Sequence, residues 1–299
     1  MRRRLFRPSG AWLYAAGCAA LLMLVCALLP GASARVAAWV SIPALRALAA
    51  FSGKFSFPII GIFIALALLA AGLFRPRIVA VLSVILFMFS ALWFPLQFPR
   101  AHPRAQARGE DVFRLCAALV ADLNAQGRQA IDVREALLTA QQVMRAPAPA
   151  KAARYPEWMR AAKIAGIFLP FTGEALVDAT RHPAAIPFTA AHELAHMLGV
   201  ADEGMANYLA YEKSVAYGGA FAYSARLWAL KYALARVENP GEIVRALDAQ
   251  LRSDLSAIPS VTGVDGDYGA IVELLVEHML ARESFPQTRH FPQVVWVGA

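Results

Sequence analysis

The sequence predicts a mainly α-helical protein with one small β-hairpin or sheet, set behind three N-terminal transmembrane helices. Three observations predict it. Residues 1–109 hold 12 of the 29 Lys and Arg and no Asp or Glu, the first acid being Glu110. That part contains three uncharged stretches, each long enough to cross about 30 Å of hydrocarbon. The following 200 or so residues, about the size of one domain, repeat their apolar positions mostly at helical spacing.

The charge split decides what the basic composition means. The net charge is +8 and the isoelectric point about 9.7, but taking 12 from 29 leaves 17 bases against all 21 acids after residue 109. The excess punctuates apolar runs instead of coating a folded surface, so it marks membrane topology and excludes nucleic acid as a partner. A hydrophobic fraction of 59% and a mean hydropathy of +0.48 exclude an ordinary soluble domain. Cys18 and Cys26 lie in the first apolar run and Cys116 stands alone, so the polar part has no disulfide.

The expected spans run from about residues 11 to 29, 55 to 74 and 78 to 98. Between the first two, VAAWVSIPALRALAAFSGK carries Pro43 and Arg46 and reads as an interfacial segment. Arg2, Arg3, Arg4 and Arg7 precede the first span, and Arg75 and Arg77 join the second to the third. Both clusters belong on the cytoplasmic side, which puts everything after Phe98 outside the membrane. The expectation is a multi-pass protein of the bacterial cell (inner) membrane with an anchor over residues 1–99 and an extracytoplasmic domain over 100–299. The first span also has the form of a signal peptide ending in GASA, and cleavage there would leave the domain on the same side.

In the polar part, helices are expected at about residues 112–123, 132–145, 187–198, 203–215, 220–237, 240–255 and 267–283, with a short one near Trp158. APAPAK breaks the chain, and IAGIFLPFTGEALVDA, β-branched and aromatic around a Thr-Gly turn, reads as a hairpin. No internal repeat is present.

The chemistry concentrates in PFTAAHELAHMLGVADEGMANYLAYE, residues 187–212. Pro187 suits the first turn of a helix and Gly199 its stop, so His192, Glu193 and His196 fall mid-helix. The i, i+4 spacing puts both imidazoles on one face, where they can hold one Zn²⁺, and Glu193 beside them is placed to take a proton from water that the metal activates. A third ligand must follow. Glu203, in the first turn of the next helix, is one candidate, with Asn207 one turn on to orient a ligand. Asp202, six residues after His196, is its rival.

The segments FTGEALVDA, PFTAAHELAHMLGVADEGMANYLAYE, YSARLWALKYAL and DYGAIVELLVEHML, with the three spans, resemble domain-of-unknown-function family 3810, bacterial membrane proteins with an extracytoplasmic zincin-like domain. The resemblance implies a zincin-like metallopeptidase fold, His192 and His196 as zinc ligands, Glu193 as base and Glu203 as third ligand. Glu203 and Asn207 match the family's acid-x-x-Ala-Asn run. Met205 departs from it where many relatives carry a second acid, and Asp202 stands where a basic residue is usual.

These residues lead to the expectation of a membrane-anchored zinc metallopeptidase hydrolysing peptide bonds outside the cytoplasmic membrane, with the lipid bilayer and a peptide or protein substrate as partners. Tyr223 is the candidate donor to the oxyanion, with Tyr208 and Tyr211 behind it. The hairpin would receive an extended peptide as an added strand, and Glu174 on it is structural or substrate-facing. His278 packs or caps on an apolar helix, while His102, His182 and His290 lie in solvated loops. A non-catalytic membrane scaffold stabilised by zinc is the alternative. Charges from Arg181 to Lys213 exclude an intramembrane protease.

Overall fold

The computed structural model describes residues 10–60, 62, 85, 91–97, 107–258 and 270–284. Helix α1 (Gly10–Leu28) covers the first expected span. The expected spans at 55–74 and 78–98 fall mostly outside the described residues. Among those described, one helical stretch, Gly31–Ser52, is long and apolar enough to cross a membrane, in place of the three expected.

That stretch is the segment read as interfacial, and Pro43 does not break it. It runs as α2 (Pro30–Val36), a π-helical turn (Ala37–Ser41) and α3 (Ile42–Ser52). Pro43 sits in the first turn of α3, and the widened turn before it absorbs the missing N–H and the bulk of the ring. A stripe at i, i+4 spacing, Ser33, Ala37, Ser41, Leu45 and Ala49, is buried. Ser33 and Ser41 Oγ donate to the carbonyls of Pro95 (2.5 Å) and Ala91 (2.7 Å), tying the segment to a short 3₁₀ turn at Phe94–Gln97.

The polar part is mainly helical: α4 (Gly109–Gln126), α5 (Val133–Met144), α6 (Pro156–Ala161), α7 (Ile186–Met197), α8 (Glu203–Tyr217), α9 (Gly219–Leu234), α10 (Gly241–Arg245), α11 (Ala249–Ala257) and α12 (Ala270–Ser284). The single helix expected over 240–255 is two, α10 and α11, parted at Ala246–Asp248. The expected hairpin forms from β2 (Gly166–Leu169) and β3 (Glu174–Val177), antiparallel, pairing Leu169 with Glu174 and Gly166 with Val177. Its turn uses Gly173 at φ +67°, where a Cβ would strike the backbone of Ala49 at 2.4 Å. The run APAPAK ends in an unforeseen strand, β1 (Lys151–Ala152), which pairs parallel with β3 to give the order β1-β3-β2.

Helix α7 is buried on nearly all sides, which its apolar circumference requires. It packs on α5, α8, α9 and the sheet. The hydrophobic core is continuous across the expected boundary near residue 100: Ala37, Leu45, Ala49, Leu92 and Leu96 belong to the same cluster as Leu194 and Ala191. Among the described residues, 31–52 and 91–97 thus pack into the same core as the metal helix.

Candidate metal centre

His192 and His196, one turn apart on α7, turn both Nε2 atoms to the same point, 3.1 Å from each other. Glu203, at the start of α8, brings Oε2 to 3.2 Å from His192 Nε2 and 3.4 Å from His196 Nε2. The chain makes this possible by reversing at Gly199 (φ +98°), a conformation costly for other residues. Asp202 then caps α8, its Oδ1 accepting from the Met205 N–H at 2.8 Å. Asp202 thus sits at the helix start, and Glu203, one residue on, lies beside the histidines.

The three atoms form a nearly equilateral triangle. Tetrahedral coordination with bonds of about 2.0–2.1 Å places ligand atoms about 3.3 Å apart, so the spacing fits three ligands to one metal ion. His196 Nδ1 lies 2.6 Å from the Val200 carbonyl. Donation there fixes the tautomer and leaves the Nε2 lone pair facing the cluster. His192 Nδ1 and Asn207 Nδ2 are buried with no partner among the described residues, and Asn207 lies one turn after Glu203, where an orienting group was expected.

Electrostatics concentrate here. Burial opposes ionisation of Glu203, but hydrogen bonds and charge from His192 and His196 overcome it and hold its carboxyl well below the usual range. Burial pulls His196 down, yet Glu203 and Glu193 more than reverse this and raise it. Glu193 is pushed up by burial, against the opposing pull of the two imidazoles and a backbone hydrogen bond from Phe168. Only 5% of Glu193 is exposed. Strand β2 passes directly over it, and a Cβ on Gly166 would lie 2.5 Å from its Oε1, so glycine is what lets the strand cross. The Trp93 ring lies 5.8 Å from that of His196 and 5.6 Å from that of Phe168 on β2.

Tyr223 is not brought to this cluster. It is fully buried and its hydroxyl donates to Asp254 Oδ2 at 2.8 Å. Burial first, then this bond, raises its pKa. Asp254 also accepts from Arg128 Nε (2.8 Å) and faces His182 Nε2 (3.8 Å), beside the N-terminal end of α7. His182 is accordingly no free loop residue: its Nδ1 accepts from the Ala184 N–H at the start of a 3₁₀ turn. Tyr208 turns to α12, where its hydroxyl lies 3.2 Å from His278 Nδ1. Burial raises it to about 12.

Glu174, on β3, is structural. Its Oε1 accepts from Lys151 Nζ (2.8 Å) and the Ile59 N–H (2.8 Å), and its Oε2 from the Ile60 N–H (3.1 Å). Trp93, Gly166 and Lys151 had no signal in the sequence. Each is defined by a long-range contact, and their own neighbours carry no motif. His102 and His290 lie outside the described residues.

Fold and site define a mainly helical protein with an N-terminal helix of membrane-spanning length and a His-His-Glu cluster able to hold a metal ion. The chain belongs to the family described as "Protein of unknown function (DUF3810)", whose model matches residues 43–262. No curated protein and no solved structure matches it.

Proposed function

We propose that the protein is a membrane-anchored zinc metallopeptidase of the bacterial cell (inner) membrane, with its zincin-like site on the extracytoplasmic side. The observation that carries this reading is the triangle of His192, His196 and Glu203 with the buried Glu193 carboxylate next to it on the same helix. A purely structural metal takes four protein ligands, whereas three ligands and an adjacent acid match a hydrolytic centre. Placement outside the membrane rests on the Arg clusters described above. It draws support from Ile59, Ile60 and Trp93, at the expected outer ends of the second and third spans, which all touch the polar part.

A Zn²⁺ bound by these residues supplies a Lewis acid that polarises the scissile carbonyl and makes water acidic enough to be deprotonated near neutral pH. Glu193 accepts that proton as the oxygen of water bonds to the carbonyl carbon. It then hands the proton to the amine nitrogen as the C–N bond breaks. Its raised pKa suits a group that must both take and give a proton. Among the described residues, strand β2 is hydrogen-bonded to β3 on one side only, so an extended peptide can join its other edge and pass beside Glu193. The oxyanion donor is not Tyr223, whose hydroxyl is engaged by Asp254.

The alternative is a zinc-stabilised scaffold without activity, and the deep burial of Glu193 under Gly166 favours it. Full-length protein in vesicles, challenged with a degenerate peptide library, decides between them. Cleavage by the wild type that is lost in Glu193→Gln, with zinc retained in both, is the expected result. Zinc without cleavage in either protein identifies the scaffold.

A further inference from the structure

We propose that the site acts on polypeptide segments as they emerge from the lipid bilayer, within about five residues of the membrane surface, counting an extended strand at about 3.3 Å per residue. This deepens the peptidase reading and rests on it. Three observations point the same way.

The first is the two-faced character of the Gly31–Ser52 stretch. Opposite the buried stripe, Arg35, Trp39, Pro43, Arg46 and Ala50 form an exposed stripe, with Trp39 82% exposed. It contains two cations and an aromatic and no acid, the composition of a helix lying at the lipid interface. Its first half is tied to Pro95 and Ala91 and its second half packs on the polar part through Ile42 and Ala49, so the exposed stripe is the side left to lipid.

The second is how close this helix comes to the metal centre. The Ile42 side chain lies 2.7 Å from where a Cβ on Gly199 would stand, just after the metal helix. The backbone of Ala49 lies under Gly173, in the turn that closes β2 and β3. One helix thickness, about 10–12 Å, therefore separates the lipid-facing stripe from the end of α7 and from the hairpin.

The third is Trp93. It belongs to the outer end of the third apolar stretch, yet its ring contacts both Phe168 on β2 and the ligand His196. A chain following the free edge of β2 past Glu193 meets at Trp93 a residue that itself leaves the membrane nearby. Between the lipid-facing stripe and the metal helix, three or four extended residues at about 3.3 Å each cover the distance.

The test places full-length protein in phosphatidylglycerol-containing vesicles with single-span peptides. Each carries the same degenerate cassette, separated from the bilayer by Gly/Ser spacers of about 2, 15 or 30 residues. All are anchored equally, so surface concentration is constant and only height varies. The expected result is cleavage at least about tenfold faster with the shortest spacer than with the longest, since local concentration near the surface falls with linker length, and no cleavage by Glu193→Gln. Equal rates at all heights, or rates that rise with spacer length, overturn the inference and leave the peptidase reading standing. No cleavage of any anchored substrate together with none of the soluble cassette overturns both, and cleavage of the soluble cassette alone overturns only the inference.

Discussion

Two buried glutamates flank β2 and have opposite surroundings. Glu174, 1% exposed, is met by three donors at 2.8–3.1 Å, the Lys151 ammonium and two backbone N–H groups. Glu193, 5% exposed, has one backbone hydrogen bond and is held by two nearby imidazoles, and burial raises its pKa. The first carboxylate has its charge matched and ties the hairpin to the N-terminal segment. The second keeps an imbalance that stability alone would not favour, one turn from where three ligand atoms converge. Full satisfaction fits the structural tie, and the retained imbalance is what the proposed chemistry would use.

The largest effect should come from the satisfied member. Lys151→Met leaves the Glu174 carboxylate buried without its counter-ion, at an expected cost of about 3–5 kcal/mol. Thermal unfolding of the full chain in detergent should report it. An unchanged midpoint would mean that the pair is not holding the N-terminal segment to the sheet.

Next comes the imbalance at Glu193. Gly166→Ala forces a methyl onto its carboxylate, with an expected loss of about 1–3 kcal/mol from overpacking. Peptide turnover should drop while zinc content is kept, because the three atoms nearest a Cβ on Gly166 all belong to Glu193. The pH profile sharpens the same point. Glu193 must be ionised to accept a proton and its pKa is raised. The acid limb of kcat/KM should therefore fall off above the ordinary carboxylate range as pH decreases, and a limb at the ordinary glutamate value would contradict the assignment.

The smallest effect is expected of Tyr223→Phe, which removes one of the donors to Asp254. It should cost about 1–2 kcal/mol in stability and leave the turnover number within about twofold. A large loss of turnover at unchanged stability would restore Tyr223 to the site.

The helical skeleton of the site was legible because it is local. His192 and His196 share a face by spacing alone, and Gly199 and the acids after it fix where the next helix starts. The choice of Glu203 over Asp202 needed the cap: an aspartate that accepts from the N–H three residues on is committed to the helix start. Tyr223 failed for the complementary reason. Periodicity puts it on a core helix but does not say which end of α7 it faces, and it faces the end away from the histidines. The strand β1 spans two residues, too few for any alternation to show. The integration of residues 31–52 was hidden because its buried stripe of Ser and Ala looks, in sequence, like any small-residue apolar run; only Gly173 and Gly199, which clear space for Ala49 and Ile42, betray the contact.

The central claim is that His192, His196 and Glu203 hold one zinc and that Glu193 works beside it without holding it. Zinc per chain, measured on purified full-length protein, tests this most directly. About one in the wild type and in Glu193→Gln, with loss in Glu203→Ala and in His192→Ala at preserved folding, is the predicted result. Zinc retained by Glu203→Ala, or absent from a correctly folded wild type, would contradict it.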